Sequence, residues 1–299
     1  MVRRTSHGEL WSPSLVGLAN FAKERSLYYR DLYADLEIDD KTPWHAVPTV
    51  QHSTYWTSSK DEGNAVRTSK VFDGILFKTG GTTGNEKYAA LSQIELQQTA
   101  MQLAQGLVAA GVKPGDRVAK MFYAGELWGS FLLHVLSIMS CPIPLVQIPI
   151  GGLGSPDTNE HLLRDCKATA VLSTVTGLIR LADYMLPHGR TLPLIRNVMF
   201  GVEAMYPGQC DKLSRMLPNA TFRGCIYGSI DAGVIGESAS DEDIRVYRVL
   251  TSTVLLEICT DEEGREVVDA NGVEGFLIAS SYIRRLTPAI RYPVGDRGE

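Results

Sequence analysis

The chain has 299 residues, of which 29 are Lys or Arg and 34 are Asp or Glu, so its formal net charge is −5. Hydrophobic residues make up 44% and charged residues 21%, a mixture typical of globular proteins that excludes an intrinsically disordered chain. The acidic balance lacks the basic domain that nucleic-acid-binding proteins carry, so no nucleic-acid partner is expected.

Residues 1–70 are predicted to form a leader of helices and irregular chain. Apolar side chains at helical spacing in 15–36 predict one or two helices. The polar remainder predicts irregular structure, although its aromatic residues Trp44, Tyr55 and Trp56 are expected to pack against the rest of the protein.

Residues 71–242 are predicted to form an α/β nucleotide-binding body. Strands are predicted at 72–78 and 88–92, within 111–123, and at 143–148, 170–174, 197–201 and 221–228. Helices are predicted at 94–111, 127–140, 159–168, 176–186 and 206–217. Strands that alternate with helices of this length predict a mostly parallel sheet covered on both faces.

Residues 243–299 are predicted to form a β-rich subdomain. Their apolar segments read as strands with polar turns between them, and Asp-Ala-Asn-Gly at 269–272 predicts a hairpin turn. The predicted fold class is therefore α/β, with mostly parallel sheets covered by helices and a C-terminal antiparallel β region.

The chain shows no signature of secretion, membrane insertion or a transition-metal site. Five scattered cysteines without a CxxC pair predict free thiols in a reducing compartment, and hence a cytoplasmic protein. The uncharged stretch 127–150 is broken by Pro142, Pro144 and Pro149, whereas a membrane span needs about 20 continuous helical residues. No membrane partner is expected.

The most informative segment is the loop between the first two predicted strands, Thr79-Gly80-Gly81-Thr82-Thr83-Gly84-Asn85-Glu86-Lys87. Glycines let backbone N–H groups approach an anion, threonine hydroxyls add donors, and Lys87 adds a positive charge. The spacing matches neither GxxxxGK[ST] nor GxGxxG. From spacing alone the segment predicts either a triphosphate-binding loop or an ordinary hairpin loop.

Three further segments decide between these alternatives by resemblance. The loop resembles the phosphate-binding signature of adenylate-forming enzymes, [S/T]-[S/G]-G-[S/T]-T-G-x-x-K. Residues 227–231, Tyr-Gly-Ser-Ile-Asp, resemble the family's tyrosine motif, and 291–296, Arg-Tyr-Pro-Val-Gly-Asp, resemble its ribose-binding motif. Residues 201–205 resemble the element that precedes the tyrosine motif. Four elements in the family's order imply the adenylate-forming ligase fold.

Within that superfamily the chain most resembles the phenylacetate–coenzyme A ligase branch. The resemblance lies in 29–36, 122–127 and 284–296. It implies ATP-dependent activation of a small aromatic or arylacetic acid, followed by transfer to coenzyme A or another acceptor. ATP and Mg²⁺ are the implied cofactors, with coenzyme A as a second substrate.

The resemblance also implies a role for each motif residue. Tyr227 would stack on adenine, Asp296 would bind the ribose hydroxyls, and Lys87 and Asp231 would be catalytic, with Asp231 also the Mg²⁺ ligand. The implied nucleotide-binding residues are Thr79, Gly80, Gly81, Thr82, Thr83, Gly84, Lys87, Gly201, Glu203, Tyr227, Gly228, Ser229 and Asp296.

Two loops that follow predicted strands are candidates for an acyl pocket. Their residues are Tyr123, Gly125, Glu126, Gly151 and Gly152, for which core packing or plain turns are the alternative. His134, on an apolar helix, is expected to be a core histidine with its hydrogen bonds satisfied. No histidine lies near Cys225 in the sequence, which disfavours a nucleophilic role for this thiol.

Several departures from the family pattern keep other functions open. Glu86 replaces a proline, Ile230 replaces a Thr or Ser that contacts phosphate, and Asp231 is shorter than the family's glutamate. The family's lysine-bearing domain would follow Asp296, so we expect an incomplete ligase that adenylates slowly. The alternatives are a truncated or inactive nucleotide-binding homologue without turnover, or a half-enzyme that needs a second domain or chain. The expected protein partner is a second copy of the chain in a homodimer, or a separate acceptor or C-terminal domain.

Overall fold

The structure is a computed structural model that describes residues 14–60, 64–79, 87–239, 243–268 and 272–299. The helices are α1 (Leu15–Arg25), α2 (Leu27–Leu32), α3 (His52–Lys60), α4 (Gln93–Ala109), α5 (Gly129–Met139), α6 (Pro156–Asp165), α7 (Val175–Met185) and α8 (Pro207–Met216). Single 3₁₀ turns occupy Trp44–Ala46 and Leu186–His188.

The strands are β1 (Gly74–Thr79), β2 (Lys87–Ser92), β3 (Arg117–Met121), β4 (Val146–Pro149), β5 (Ala170–Ser173), β6 (Asn197–Phe200), β7 (Thr221–Gly224), β8 (Ile226–Ser229), β9 (Gly233–Ser238), β10 (Tyr247–Val249), β11 (Val254–Cys259), β12 (Gly275–Ser281) and β13 (Tyr292–Gly298). The described residues divide into two compact units. The first is drawn from Met1–Lys70 and Glu257–Glu299, and the second from Val71–Leu256. The sequence does not predict that the two ends of the chain share a unit.

A five-stranded parallel sheet forms the centre of the second unit, with strand order β4-β3-β5-β6-β7. Alternate residues of its strands enter different cores because successive side chains point to opposite faces. Ala119 and Val171 join the core that α6, α7 and α8 help to form, whereas Val118 and Leu172 join the core that includes Leu107 of α4 and Ile138 of α5. The predicted parallel sheet covered on both faces is confirmed.

The remaining strands are antiparallel. β1 pairs with β2, β9 lies between β8 and β10, and β12 lies between β11 and β13. The antiparallel region predicted near the C-terminus is therefore confirmed. The predicted hairpin turn at 269–272 lies mainly outside the described residues, since 269–271 are not described.

Local sequence signals account for the limits of α4. The Ser92 hydroxyl accepts from the backbone N–H of Glu95, whose carboxylate accepts from the Ser92 N–H at 2.7 Å, which is a capping box. At the other end Gly111 has a φ of 95°, as a glycine that follows a helix commonly does.

Two elements differ from the sequence prediction. α3 lies in a segment that the sequence predicts to be irregular. The prediction misses this helix because the hydroxyl-rich sequence of α3 has low helix propensity. Burial of Tyr55 and Trp56, 2% and 5% exposed, anchors this helix and confirms their predicted packing. The strand predicted at 221–228 is divided at Cys225 into β7 and β8, which belong to different sheets.

The first unit is organised around the segment that leads into β13. The hydroxyls of Tyr29 and Tyr55 both donate to the Pro288 carbonyl, at 2.7 and 2.9 Å. The indole N–H of Trp56 donates to the Tyr292 hydroxyl at 3.1 Å. Tyrosine and tryptophan thereby bury their rings and satisfy their polar ends, which fixes the backbone from residue 288 to β13.

No helix among the described residues has the length and apolar character needed to cross a membrane.

Candidate functional site

The β1–β2 hairpin brackets the predicted phosphate loop. The strands pair from Gly74 with Ser92 to Thr79 with Lys87, which confirms both predicted strands. The predicted ATP-binding residues Gly80, Gly81, Thr82, Thr83 and Gly84 lie outside the described residues, and so do the side chains of Thr79 and Lys87. Their roles remain predictions.

A strained turn at 125–128 holds the end of β1. The N–H of Lys78 donates to the Leu127 carbonyl at 2.8 Å, and its ammonium lies 5.3 Å from the centre of the Trp128 ring. Gly125, Glu126 and Leu127 have positive φ values of 88°, 48° and 63°. Two consecutive non-glycine residues in this conformation store strain that local contacts must offset. Such strain is common at functional sites.

Three of the residues predicted for the acyl pocket, Tyr123, Gly151 and Gly152, lie at the carboxyl ends of β3 and β4. The Gly151 N–H donates to the Lys120 carbonyl at 2.9 Å. A Cβ on Gly152 would lie 3.0 Å from both the Met121 carbonyl oxygen and the Tyr123 nitrogen, so a larger residue here would have to push this backbone away by a few tenths of an ångström. Gly125 and Glu126 follow on the exposed turn.

The 201–205 loop begins at the carboxyl end of β6. The Gly201 N–H donates to the Ser173 carbonyl at 3.3 Å. The Glu203 carboxylate accepts from the N–H and the hydroxyl of Thr176, at 2.8 and 2.9 Å. A carboxylate at this position is stabilised by the positive end of the α7 dipole. Glu203 thus fixes the loop on α7.

The tyrosine motif occupies β8 and the turn that follows it. A bulge separates Tyr227 from Gly228, where a Cβ would lie 2.3 Å from the Gly233 carbonyl oxygen. The Ser229 hydroxyl accepts from the Ala232 N–H at 3.0 Å and closes the turn that carries Asp231. The Tyr227 and Asp231 side chains are half-buried, and the Ser229 side chain is exposed.

Asp231 has the chemistry to bind a metal ion together with a phosphate-bearing ligand. Among the described residues no cluster of three or more His, Cys, Asp or Glu side chains could hold a metal by itself. A single half-buried carboxylate suits Mg²⁺, which proteins commonly bind through one or two carboxylates together with substrate phosphates. Asp231 would therefore hold Mg²⁺ only with the nucleotide.

His134 and Cys225 form a contact that the sequence does not reveal, because 91 residues separate them. His134 Nδ1 lies 2.7 Å from the Ser130 carbonyl oxygen, and Nε2 lies 3.5 Å from Cys225 Sγ. Burial lowers the pKa of His134 to about 4 and raises that of Cys225 to about 12. Both groups are neutral at pH 7, so this pair is not a thiolate nucleophile. The expectation of a satisfied core histidine is confirmed.

Tyr247 contacts Tyr227, a predicted nucleotide-binding residue, and the sequence does not mark it. Its ring centre lies 5.6 Å from that of Tyr227, with a 40° angle between the rings. No motif marks it, since it lies 20 residues beyond Tyr227 in a segment read only as a strand. Identifying this contact requires the strand order β8-β9-β10, which the sequence does not give.

Asp296 belongs to the first unit, where it lies exposed on β13. The motif residue Arg291 is 1% exposed and has a φ of 44°. Its guanidinium donates to Glu257 and to the carbonyls of His45, Val47 and Gly264. Arg291 therefore anchors the strand that carries Asp296.

Comparison of the whole fold with solved structures identifies its class. The chain matches 2-hydroxyisobutyryl-CoA ligase in complex with 2-HIB-AMP and CoA in the thioesterification state, with a TM-score of 0.80 and 18% identity over 95% of this chain and 61% of that chain. An open conformation of the same ligase gives a TM-score of 0.79 and 16% identity, over 95% of this chain and 64% of that chain. The chain has the fold of the adenylate-forming enzymes.

More distant structures agree with this class. A long-chain-fatty-acid-CoA ligase from Archaeoglobus fulgidus gives a TM-score of 0.55 with 18% identity, over 70% of this chain and 42% of that chain. No protein-family model matches the sequence, and no curated protein matches it. The chain spans 61–64% of the length of the 2-hydroxyisobutyryl-CoA ligase structures.

Proposed function

We propose that this protein activates a carboxylic acid with ATP to give an acyl-adenylate and pyrophosphate. The observation that carries the proposal is that Tyr123, Gly151, Gly152 and Gly201 all follow the carboxyl ends of the parallel strands β3, β4 and β6. Open α/β sheets bind their ligands at this edge. The hydrogen bond from the Lys78 N–H to the Leu127 carbonyl attaches β1, the strand before the Gly/Thr loop, to the turn that follows β3.

In the proposed reaction a carboxylate oxygen attacks the α-phosphorus of ATP. The new oxygen–phosphorus bond forms as the bond from the α-phosphorus to its bridging oxygen breaks, and pyrophosphate leaves with the electron pair. The Gly/Thr loop and Lys87 bind the phosphates, Tyr227 stacks on adenine, and Asp296 accepts from the ribose hydroxyls. Mg²⁺ held by Asp231 would neutralise phosphate charge. Such a reaction depends on positioning and charge stabilisation.

Coenzyme A is the proposed acceptor of the acyl group. Its thiol would lose its proton to solvent as the sulfur attacks the carbonyl carbon of the acyl-adenylate. The new carbon–sulfur bond would replace the bond from that carbon to the phosphate oxygen, and AMP would leave with the electron pair. The support is the fold shared with ligases solved with an acyl-AMP and CoA. For the acid we propose an aromatic or arylacetic compound, which rests on the resemblance to phenylacetate–coenzyme A ligases. The half-buried Tyr123 and Trp128 at the same sheet edge would suit an aromatic ring.

A second candidate function is nucleotide binding without turnover, which Ile230 favours. The Ile230 side chain packs against the core that contains Phe77 and Val234, and a Cβ on Gly129 would lie 2.8 Å from its Cδ1. A half-buried apolar side chain there supplies no hydroxyl to a phosphate. Weak charge stabilisation would lower the rate while binding persisted.

The experiment that separates the two candidates measures pyrophosphate release with and without acid. The acids would be phenylacetate, benzoate, 2-hydroxyisobutyrate and acetate, with hydroxylamine present to trap the acyl-adenylate as a hydroxamate. Ligase activity predicts acid-dependent release with stoichiometric hydroxamate, greatest for phenylacetate or benzoate. ATP binding without any acid-dependent release would support the second candidate.

A further inference from the structure

Two glycines create the space in which the rings of Tyr227 and Tyr247 meet. Tyr227 lies on β8 opposite Gly236 of β9, and Gly236 lies opposite Val249 of β10. A Cβ on Gly236 would lie 3.2 Å from the Tyr247 Cβ. The position opposite Tyr227 on the middle strand therefore carries no side chain, whereas the position opposite Tyr247 is the small residue Ser238. The two ring centres lie 5.6 Å apart across this strand.

The hydroxyl end of Tyr247 is held just as closely. A Cβ on Gly224, the last residue of β7, would lie 2.1 Å from the Tyr247 Oη. The next residue, Cys225, is fixed by its N–H bond to the Phe200 carbonyl at 2.7 Å and by its contact with His134. Tyr247 therefore packs against Gly236 at its Cβ and against Gly224, at the end of the parallel sheet, at its hydroxyl.

We propose that Tyr247 is a positioning residue that holds the Tyr227 ring at the angle required to stack on the adenine of ATP. This inference rests on the proposed function. A tilted aromatic pair at this separation is attractive beyond its buried area, so Tyr247 narrows the orientations open to the half-buried Tyr227 ring. A ring ordered before binding loses less freedom when adenine stacks on it.

The test replaces Tyr247 with leucine or phenylalanine and measures two affinities by calorimetry. The first ligand is ATP, and the second is inorganic triphosphate as a competitor of ATP, which contains no adenine. We expect Tyr247→Leu to weaken ATP binding about 3- to 10-fold and to leave triphosphate binding unchanged. Tyr247→Phe keeps the ring and should bind ATP within about twofold of the wild type.

Two further variants separate positioning from general damage. Gly236→Ala adds a methyl group 3.1 Å from the Arg248 carbonyl oxygen and 3.2 Å from the Tyr247 Cβ, so it should displace Tyr247 and reproduce the selective loss of ATP affinity. Tyr206→Leu makes the same change as Tyr247→Leu at a tyrosine that is 64% exposed, and it should change neither affinity. Thermal unfolding of each variant identifies any that does not fold.

Three results would overturn the proposal. Wild-type ATP affinity in Tyr247→Leu would do so, as would an equal loss of ATP and triphosphate affinity, and so would a failure of Tyr247→Phe to restore binding. A wild-type protein that binds no ATP would instead contradict the proposed function itself.

Discussion

Arg291 donates a hydrogen bond of 3.0 Å from Nε to Oε2 of Glu257, and the two side chains are 1% and 8% exposed. Burial raises the pKa of Glu257, while Arg291 partly offsets that rise. The same guanidinium reaches three backbone carbonyls, so one side chain joins residues 45, 47, 257 and 264 to the start of β13.

The first prediction concerns the loss of this buried pair. Arg291→Met should lower the free energy of unfolding by about 3–5 kcal/mol, because it leaves Glu257 and three carbonyls buried without their donor. The measurement is urea unfolding followed by circular dichroism. The control, Arg297→Met, breaks a half-exposed pair with Glu274 in the same unit and should cost at most about 1 kcal/mol. Equal losses in the two variants would contradict the structural role of Arg291.

The second prediction follows from the lowered pKa of His134. Burial brings this pKa to about 4, and the unfolded chain has a value near 6.5, so between these values the unfolded state binds more protons. The folded protein therefore has the full stability that a neutral His134 allows above pH 6.5, and it loses part of that stability as pH falls toward 4. At pH 5 the loss amounts to about 2 kcal/mol.

Chemical unfolding at several pH values measures this dependence. His134→Gln should remove most of the change in the free energy of unfolding between pH 7 and 5. His188→Gln, at an exposed histidine, should leave that change as it is in the wild type. An unaltered slope in His134→Gln would show that other groups cause the loss at low pH.

The third prediction concerns Lys120, a lysine of the parallel sheet that is 0% exposed. Its ammonium lies 4.2 Å from the centre of the Phe131 ring and 3.4 Å from Gln147 Oε1. Burial lowers the pKa of Lys120 to about 8, so between pH 8 and 10.5 the unfolded state binds more protons and stability rises with pH.

Lys120→Met should therefore stabilise the protein at pH 7 by about 1–3 kcal/mol, because an apolar chain of similar length removes the desolvation cost. The difference from the wild type should shrink as pH approaches 10. Thermal or urea unfolding at pH 7, 8.5 and 10 checks this trend, and a variant that is less stable at pH 7 would contradict it.

The sequence predicts those elements whose causes are local. The capping box of Ser92 and Glu95 and the glycine at 111 lie within a few residues of the helix ends that they define. Alternating apolar strands and helices likewise predict the parallel sheet. By contrast, α3 has weak local propensity and is stabilised by burial of Tyr55 and Trp56.

The candidate site likewise has parts that the sequence predicts and parts that it does not. The phosphate-loop, tyrosine and ribose motifs can be recognised from consecutive residues, but the contacts that position them join residues distant in the chain. Arg291 reaches His45 across 246 positions, and Cys225 reaches His134 across 91. Tyr247 meets Tyr227 across the middle strand β9, where Gly236 lies opposite Tyr227 and Ser238 lies opposite Tyr247. Periodicity does not identify such partners.

The fourth prediction concerns the nucleotide-binding roles proposed for Lys87 and Asp296. Lys87→Ala and Asp296→Ala should each weaken ATP binding roughly 10- to 150-fold, because each removes a hydrogen bond to a charged group. Calorimetric titration measures the affinity, with Lys113→Ala, at an exposed lysine, as the control. Unchanged affinity in both variants would refute the nucleotide assignment.

The most direct test of the central claim is acid-dependent exchange of labelled pyrophosphate into ATP. Exchange requires that the chain forms an acyl-adenylate and reverses the step, so binding alone does not produce it. We predict that label enters ATP only when an acid is present, with phenylacetate or benzoate ahead of acetate, and that Lys87→Ala reduces the rate. Carboxylate activation would be contradicted if the protein binds ATP to saturation but the rate at which label enters ATP is the same with and without an acid.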